Sequence, residues 1–419
     1  MTSVPKRRSE LIEVLEQRGF LHQCTNIEQL DETAATSVIT AYNGFDATAD
    51  SLHVGHLLPI MMLRWVQNTG HRPIALIGGG TTKVGDPSGK EETRQLLDDD
   101  AINSNIKSIQ KTFEKLIDFG EGSTDALLVN NADWLDTLQY IPFLRDVGPH
   151  FTINRMLTMD SVKLRLEREQ PLTFLEFNYM ILQSYDFLEL HMRYGCTLQT
   201  GGSDQWGNIV NGIELGRRVA QTELFGLTCP LITTSSGAKM GKTAAGAVWL
   251  NEERLSAYDY YQFWRNAEDP DVGRFLKLFT ELPMEEISRL ELLEGGEIND
   301  AKKVLAFEAT KLLHGESAAI ASQKTAESTF ESGGVGDSLP SIDLSDEALA
   351  NGMSLVEALK ATGLCKSGGE ARRLILGGGA KINGEKVEDE TYLLQADDFI
   401  DSQLKLSSGK KRHAIVTLV

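Results

Sequence analysis

Residues 42–56 read YNGFDATADSLHVGH, and this stretch decides the fold of the first part of the chain because it joins a predicted strand to a predicted helix. The strand is predicted over residues 38–45, which are mostly apolar and end in turn residues. The helix is predicted from the helical spacing of apolar residues over 57–66. Such a junction leaves unpaired backbone N–H groups and the positive end of a helix dipole at the carboxyl edge of a sheet. The stretch therefore predicts a phosphate-binding turn.

The four residues His53-Val54-Gly55-His56 would supply the chemistry of this turn. Gly55 would let the backbone approach a flat purine, and His53 and His56 can donate hydrogen bonds to phosphate oxygens. Without further context these residues favour a simpler interpretation, in which two histidines share a helix face or bind a metal, because short motifs often arise by chance.

Strand-like and helix-like segments continue to alternate up to about residue 230. Residues 73–77 and 126–129 are predicted as further strands, and apolar residues at steps of three and four over 102–117 predict a long helix between them. Alternation of this kind indicates a parallel sheet covered by helices, the α/β class. The glycine-rich runs nearby fit neither the P-loop nor the GxGxxG fingerprint, because the required lysine and spacing are missing.

The remainder of the chain changes character twice. From about residue 250 the strand signals fade, and a helical stripe over 301–313 indicates an all-helical region. Residues 331–350 are rich in Ser, Gly, Asp and Pro, which predicts a linker. An Asn-Gly hairpin turn near 383 and a last strand over 414–418 then predict a small α+β module. The predicted domains are 1–250, 251–330 and 353–419, with a linker over 331–352.

Composition limits the classes of protein to which this chain can belong. Its 419 residues carry a net charge of −19, which excludes a uniformly basic surface and leaves local basic patches for any contact with RNA. The four cysteines form no CxxC pair, so neither a zinc site nor a disulfide framework is expected. Residues 1–20 lack the apolar segment of a secretory signal, and no apolar run is as long as a membrane span. We expect a cytoplasmic protein.

The whole stretch 42–56 resembles the HIGH signature of class I aminoacyl-tRNA synthetases, in the form typical of the bacterial-type tyrosyl family. Residues 239–243, KMGKT, resemble the second signature of that class, KMSKS, and lie in a Gly/Ser-rich loop where a mobile phosphate-closing loop would be needed. Segments 84–90, 179–186 and 201–209 also match this family. The resemblance implies a Rossmann-like parallel-sheet catalytic domain, an α-helical anticodon-binding domain and a small α+β S4-like RNA-binding domain.

The implied reaction activates L-tyrosine with ATP to tyrosyl-adenylate and pyrophosphate, and then transfers the tyrosyl group to the 3′ end of tRNA(Tyr). The tyrosine carboxylate is already a nucleophile, so catalysis needs no general base and rests on positioning and on stabilising phosphate charge. Mg²⁺ is expected with ATP, and a metal held mainly by phosphates needs no protein cage. The implied partners are L-tyrosine, ATP, tRNA(Tyr) and a second copy of the chain.

The resemblance also assigns roles to individual residues. The residues implied to bind tyrosine are Tyr42 and Asp186 at the phenol hydroxyl, Asp86, Tyr179 and Gln183 at the α-amino group, and Gln205 near the carboxylate. The residues implied to bind ATP are Gly44, Asp46, Gly55, Asp204 and Lys242. The residues implied to act on the phosphates are Thr48, His53, His56, Lys90, Arg94, Lys239, Lys242 and Thr243.

The spacing of Tyr179, Gln183 and Asp186 has a logic of its own, because steps of four and three place them on one helix face. Polar groups on one face can converge on a small polar ligand, although an amphipathic surface helix would show the same spacing. Two residues depart from the family pattern, Ala47 in place of Pro and Gly241 in place of Ser. Neither removes a proposed catalytic side chain, and the alanine makes the loop before the histidines less rigid.

The C-terminal module resembles S4-type RNA-binding domains through segments 354–359, 367–375 and 379–384. Its basic residues cluster, and a cluster of this kind either contacts RNA phosphates or forms a solvated face. The residues implied to bind RNA are Lys366, Arg372, Arg373 and Lys381. Segment 140–165 is apolar enough to be a dimer interface, with a buried core as the equal alternative.

Three other classes of protein compete with this interpretation. A tryptophanyl synthetase shares the fold but has no phenol to bind, which argues against it because Tyr42 and Asp186 are both present. A nucleotidyltransferase of the HIGH superfamily without a tRNA role would not explain the long C-terminal region. A non-enzymatic RNA-binding protein would not need both signatures together.

Overall fold

The computed structural model describes residues 7–88, 97–237, 240–243, 246–331, 339–400, 402–409 and 412–419. The chain forms two compact units. The first comprises Met1–Leu255 and Phe263–Leu313, and the second comprises Ser256–Gln262 and His314–Val419. Much of the predicted helical region therefore belongs to the same unit as the sheet.

The first unit is built on a six-stranded sheet. Its strands are β1 (Gln23–Cys24), β2 (Thr40–Phe45), β3 (Arg72–Ile77), β4 (Leu127–Asn130), β5 (Leu198–Gly202) and β6 (Phe225–Cys229), and a separate hairpin contains β7 (Lys242–Thr243) and β8 (Gly246–Ala247). The order across the sheet is β1-β6-β5-β2-β3-β4, and all pairs are parallel except β1 with β6. The predicted α/β fold with a parallel sheet is confirmed.

Strand β2 occupies the middle of the sheet, where Tyr42 lies between Ile74 of β3 and Gln199 of β5. It begins at Thr40, later than predicted, and the preceding Val38 is 53% exposed. Strands β5 and β6 were not predicted, because their sequences LQTGG and FGLTC lack the continuous run of large apolar residues that marks a buried strand. The carboxyl ends of β2, β3 and β5 lie side by side and open towards one edge.

Helices alternate with these strands along the chain and continue beyond the last strand of the sheet. Up to residue 314 they are α1 (Glu10–Gln17), α2 (Ile27–Thr36), α3 (Val54–Asn68), α4 (Asp99–Phe113), α5 (Ala132–Leu135), α6 (Tyr140–Asp146), α7 (Ile153–Met156), α8 (Asp160–Glu167), α9 (Phe174–Tyr194), α10 (Trp206–Val219), α11 (Ala257–Arg265), α12 (Val272–Phe279), α13 (Met284–Glu291) and α14 (Ile298–His314). Helix α3 packs on β2 and β3, and α9 packs against α10.

Helix α9 is rigidly defined at both ends. It begins in a capping box, in which Thr173 accepts the backbone N–H of Glu176 and the Glu176 carboxylate accepts the backbone N–H of Thr173. It ends at Gly195, whose φ of 65° lies in the left-handed region that favours glycine. Phe187 of this helix is fully buried with Tyr42 and other core residues of the sheet. The helix therefore presents its polar inner face at a defined position near β2.

The second unit contains a five-stranded sheet of order β11-β10-β12-β13-β9. Its elements are α15 (Glu316–Glu331), β9 (Ser341–Leu344), α16 (Asp346–Ala350), α17 (Leu355–Ala361), α18 (Gly368–Leu376), β10 (Ala380–Ile382), β11 (Glu385–Lys386), β12 (Gln403–Ser408) and β13 (Arg412–Leu418). Leu355 and Leu359 of α17 pack against Leu404 and Val416 of the sheet. The predicted hairpin is present, and Asn383 (φ 49°) and Gly384 (φ 91°) have the positive φ angles of a type I′ turn.

The linker prediction for 331–352 is wrong for its second half. Strand β9 pairs in parallel with β13, with Ile342 opposite Val416, and α16 follows it. Within β9 only Leu344 is fully buried, so the strand has too few large apolar residues to be recognised from its sequence. Residues 332–338 lie outside the described residues.

In the described part of the chain, none of the helices combines the length and the apolar character required to cross a membrane.

Candidate active site

A cavity of about 560 Å³ opens at the carboxyl edge of the sheet in the first unit. It is lined from β2, β3, α3, α9 and β5, and by residues from the loop after β6. The predicted site residues that line it are Tyr42, Gly44, Asp46, Thr48, His53, Gly55, His56, Asp86, Tyr179, Gln183, Asp186, Asp204 and Gln205. Residues predicted from distant segments thus meet around one space.

Other predicted site residues are only partly described. Lys90, Arg94 and Lys239 lie outside the described residues. Lys242 and Thr243 form the backbone of β7, with Lys242 opposite Ala247. Their substrate contacts stay a prediction.

The deepest part of the cavity contains Tyr42 and Asp186, which are 1% and 2% exposed. Asp186 Oδ1 accepts a hydrogen bond from Trp134 Nε1 at 2.8 Å, and Oδ2 accepts one from Asn131 Nδ2 at 2.9 Å. Burial raises the pKa of Asp186 to about 7, and the two donors only partly oppose this effect.

The Tyr42 hydroxyl is buried and has no hydrogen-bond partner among the described residues. Burial, and secondarily the nearby Asp186, raises the pKa of this phenol, so it remains protonated at neutral pH. A buried hydroxyl without a partner costs free energy, about 1–3 kcal/mol in typical proteins. The cavity floor therefore has an unused hydrogen-bonding group next to a carboxylate, which fits a ligand with a hydroxyl of its own.

Trp134 and Asn131 were not found from the sequence. Asn131 follows β4 directly and also links the floor to the neighbouring strand, because its Oδ1 accepts the backbone N–H of Gly80 at 2.8 Å and its Nδ2 donates to Thr81 Oγ1 at 3.0 Å. A polar residue directly after a strand, at the edge where other site residues gather, was the available signal.

Two further carboxylates, those of Asp46 and Asp86, line the cavity, and each accepts hydrogen bonds from different residues. Asp46 accepts hydrogen bonds from the Tyr179 hydroxyl at 3.1 Å and from Thr81 Oγ1 at 2.9 Å. Asp86 Oδ2 accepts from Gln205 Nε2 at 2.9 Å. Two carboxylates in a half-enclosed space create a negative potential that suits an ammonium group. We call the part of the cavity lined by Asp46 and Asp86 the acidic zone. Asp46, which the resemblance implies to bind ATP, is therefore one of the two carboxylates that suit an ammonium group.

The predicted common face of Tyr179, Gln183 and Asp186 is present on α9, and all three side chains line the cavity. Gln183 Oε1 accepts from Asn208 Nδ2 at 2.8 Å, and Asn208 also donates to Gln205 Oε1 at 3.2 Å. The amide side chains are thereby fixed in orientation. The alternative, a helix face exposed to solvent, is excluded for Tyr179 and Asp186, which are buried.

The first signature forms the N-terminus of α3, as predicted. His53 is the N-cap, and its Nδ1 accepts the backbone N–H of Gly55 at 3.0 Å, while His56 Nδ1 accepts the backbone N–H of His53 at 3.2 Å. Because each Nδ1 accepts, each neutral ring carries its proton on Nε2 and can donate from there. A Cβ atom at Gly55 would lie 2.7 Å from His53 Cε1, so any side chain at this position would displace the imidazole.

The described part of the second signature lies against the first. The backbone N–H of Val248 donates to the carbonyl oxygen of Gly241 at 2.9 Å, and that of Val54 donates to the carbonyl oxygen of Val248 at 2.9 Å. Gly241 has a φ of 81°, and a Cβ there would lie 2.8 Å from the backbone nitrogen of Gly55. The departure from the family's serine thus has a steric reason: the two backbones approach too closely for a side chain.

Trp249 is a further cavity residue that the sequence did not reveal. It forms an isolated β-bridge with His53, and its ring centroid lies 6.4 Å from that of the histidine. The guanidinium of Arg254 lies 4.6 Å from the Trp249 ring centroid and forms an ion pair with Asp50. The indole is therefore held between an imidazole and a guanidinium at the mouth of the cavity.

Comparison with known proteins places these features in a family. The family model of class I tRNA synthetases (W and Y) matches residues 34–331, and the tyrosine–tRNA ligase SYY-like C-terminal domain matches residues 331–416. The tyrosine–tRNA ligase of Rhodospirillum rubrum is 62% identical over 98% of this chain and 99% of its own length. That of Zymomonas mobilis is 60% identical over 98% of each chain.

Solved structures agree with the sequence relatives. A C-terminally truncated mitochondrial tyrosyl-tRNA synthetase from Aspergillus nidulans has a TM-score of 0.69 and 33% identity, covering 78% of this chain and 95% of its own. Tyrosyl-tRNA synthetase from Archaeoglobus fulgidus, solved with L-tyrosine, has a TM-score of 0.54 and 16% identity, covering 75% of this chain and all of its own. The second likeness concerns the fold alone.

Proposed function

The chain belongs to the class I tRNA synthetases, as a tyrosine–tRNA ligase, and from this premise we propose which of its residues perform each part of the reaction. The exposure of the side chains that line the cavity increases from its floor to its mouth. Tyr42 and Asp186 are buried, Asp86 and Gln183 are half-buried, and Thr48 at the mouth is exposed. A tyrosine whose side chain points inward would place its carboxylate near the mouth, where ATP binds.

The unused hydroxyl of Tyr42 beside the oriented carboxylate of Asp186 is the observation that carries the assignment of tyrosine. The phenol hydroxyl of the substrate would accept from Tyr42 and donate to Asp186, so that both buried groups gain a partner. A tryptophan side chain has only an N–H donor and would leave the Tyr42 hydroxyl without an acceptor. The acidic zone, together with the Tyr179 hydroxyl that donates to Asp46, would hold the α-amino group.

ATP would lie across the mouth, above the N-terminus of α3. The helix dipole and the Nε2 protons of His53 and His56 stabilise the negative charge that builds on the phosphates as the tyrosine carboxylate attacks the α-phosphorus in line. Gly44, Thr48 and Asp204 line this exposed part of the cavity and would contact the nucleotide. Mg²⁺ would bind to ATP through phosphate oxygens and water, so that it needs no protein site rich in carboxylates.

Replacing Lys242 by alanine tests the role of the loop. We expect the rate of adenylate formation to fall by at least about 10²-fold, the scale for losing one donor to the transition state. ATP–pyrophosphate exchange with tyrosine measures this step without tRNA. Lys360→Ala, at an exposed position of α17, is the matched control and should exchange normally. A near-normal rate in Lys242→Ala would exclude the role.

The remaining regions would serve tRNA. The helices of the predicted region 251–330 would bind the anticodon arm, and the S4-like module over 353–419 would bind RNA through Lys366, Arg372, Arg373 and Lys381. Arg372 and Arg373 lie exposed on α18, and Lys381 lies on β10, which follows that helix. The cytoplasm, where translation takes place, is the proposed compartment.

A homodimer is proposed from the apolar surface of segment 140–165. Tyr140, Ile141, Leu144 and Leu157 are 63%, 68%, 51% and 40% exposed, whereas Met156 is buried in a small core cluster. The segment was predicted to be either a dimer interface or a buried core. A buried core accounts for Met156 but not for the four exposed apolar residues. A cluster of exposed apolar side chains of this kind marks an interaction surface.

Replacing Ile141 by aspartate should convert the dimer to a monomer, because a charge placed in an apolar interface loses its hydration without gaining a partner. Light scattering after size-exclusion chromatography measures the mass in solution. Leu292→Asp is the control, since Leu292 is 81% exposed elsewhere in the same unit and its replacement should leave the dimer intact. A dimer that survives Ile141→Asp would contradict the assignment of the interface.

A further inference from the structure

The base of the loop that carries the second signature is attached to the start of α12 by charged and hydroxyl groups of the same unit. We call this group the loop clamp, and its members are Thr233, Ser235, Ser236, Glu268, Asp271 and Arg274. Neither Asp271 nor Arg274 lines the substrate cavity.

Asp271 is the centre of the loop clamp. Its Oδ2 accepts the backbone N–H of Ser235 at 2.8 Å, and its Oδ1 accepts from Arg274 Nη2 at 2.8 Å. The same guanidinium donates to the backbone carbonyl oxygen of Thr233. One ion pair therefore holds the loop backbone on both sides of Thr234. Because Asp271 is only 3% exposed, loss of Arg274 would leave a buried carboxylate without its ion-pair partner.

Glu268 holds the same turn from the solvent side. Its two carboxylate oxygens accept from Ser235 Oγ at 2.5 Å and from Ser236 Oγ at 2.7 Å. These hydrogen bonds lower the pKa of Glu268, so it is ionised at neutral pH. Because Glu268 is exposed, its contribution is smaller than that of the buried Asp271.

The clamped turn leads directly to the first signature. The backbone N–H of Met240 donates to the carbonyl oxygen of Ile232 at 3.0 Å, so the chain returns alongside the residue that precedes the loop clamp. The carbonyl oxygen of Met240 would lie 3.4 Å from a Cβ at Gly55, at the start of α3. A shift of the clamped turn would therefore move the backbone that meets the nucleotide end of the cavity.

We infer that Asp271 and Arg274 are positioning residues for adenylate formation, which hold the base of the loop so that its lysines reach the ATP phosphates. The inference rests on the proposed role of residues 239–243. Interactions that only position reacting groups can matter strongly, since a displacement of about 1 Å can cost about 10²-fold in rate. Tyrosine binding should be independent of the loop clamp, because Tyr42 and Asp186 form the buried floor of the cavity.

The test compares full-length Asp271→Asn and Arg274→Ala with the unmodified enzyme in ATP–pyrophosphate exchange, with rates expressed per titrated active site. We expect kcat/KM for ATP to fall about 10–100-fold and KM for tyrosine to stay unchanged. Arg274→Lys, which keeps the charge and a donor, should recover part of the loss. The double variant should be little worse than the single ones, because both act through the same ion pair.

Arg289→Ala is the matched control, because Arg289 forms an ion pair with Glu286 at the same i,i+3 spacing on the neighbouring α13. It should behave as the unmodified enzyme. Unchanged kinetic constants per active site in Asp271→Asn and Arg274→Ala would overturn the inference, even if fewer sites were active. If Lys242→Ala is itself fully active, the proposed role of the loop fails; if only the Lys242 variant is impaired, the loop clamp alone fails.

Discussion

Asp186→Ala is expected to lower kcat/KM for tyrosine in ATP–pyrophosphate exchange by about 10³-fold, because the Trp134 and Asn131 donors and the substrate hydroxyl would all lose their acceptor. Each buried polar group left without a partner costs about 1–3 kcal/mol. Tyrosine should lose far more than phenylalanine, which has no hydroxyl to pair. Discrimination of about 10⁵-fold between these amino acids is known behaviour of this enzyme class and not a result of the present geometry.

The comparison of the two amino acids makes the test specific. Parallel exchange assays with tyrosine and phenylalanine give the ratio of their kcat/KM values, and this ratio should collapse in Asp186→Ala. KM for ATP should change little, because Asp186 lies at the closed end of the cavity. Equal losses for both amino acids would show that the carboxylate supports the fold and does not read the phenol.

The raised pKa of Asp186 adds a dependence on pH. The carboxyl has a pKa of about 7 in the empty cavity, so tyrosine, which prefers the ionised form, should bind more weakly as the pH falls through 7. Measuring equilibrium binding of tyrosine without ATP excludes effects of His53 and His56 on the nucleotide.

The stability of the fold should depend on pH in the opposite sense. The Asp186 carboxyl stabilises the enzyme without substrate below its unfolded pKa, and this contribution is lost as the pH rises through about 7. Asp186→Asn should remove both effects.

The sequence was enough to predict those parts of the site whose residues belong to one motif or one helix. His53 and Gly55 are adjacent in sequence to the helix start that they form, and Tyr179 and Asp186 share one face of a single helix. These relations are local, so periodicity and junctions reveal them. Trp134 lies 52 positions from Asp186, and nothing in its own neighbourhood marks it as a donor to that carboxylate.

The loop clamp and strand β9 show the same limit. Asp271 meets Ser235 across 36 positions, and only the packing of α12 beside the loop brings them together. Strand β9 is recognisable only through its partner β13, because its own sequence SIDL buries a single leucine completely. Pairing across long distances is decided by the whole fold, and a pattern read within one segment does not contain it.

Removing residues 332–419 should abolish most tRNA charging while leaving tyrosine activation intact. The cut belongs after Glu331 and not at 353, because β9 pairs with β13 and would be left exposed by the later cut. The catalytic cavity lies entirely in the first unit.

We expect kcat/KM for tRNA(Tyr) to fall on the order of 10³-fold, because the truncation removes several phosphate-binding side chains together.

Charging assays at increasing salt identify these side chains in the full-length enzyme. The double variant Arg372→Ala with Arg373→Ala should reduce the slope of the salt dependence by about one unit for each arginine that binds a phosphate. Lys360→Ala, an exposed lysine of the same unit outside the predicted RNA-binding set, should keep the original slope. Because these side chains would act on tRNA and not on ATP or tyrosine, pyrophosphate exchange by all of these variants should match that of the intact enzyme. Charging by the truncated enzyme at the normal rate would assign tRNA recognition to the first 331 residues alone.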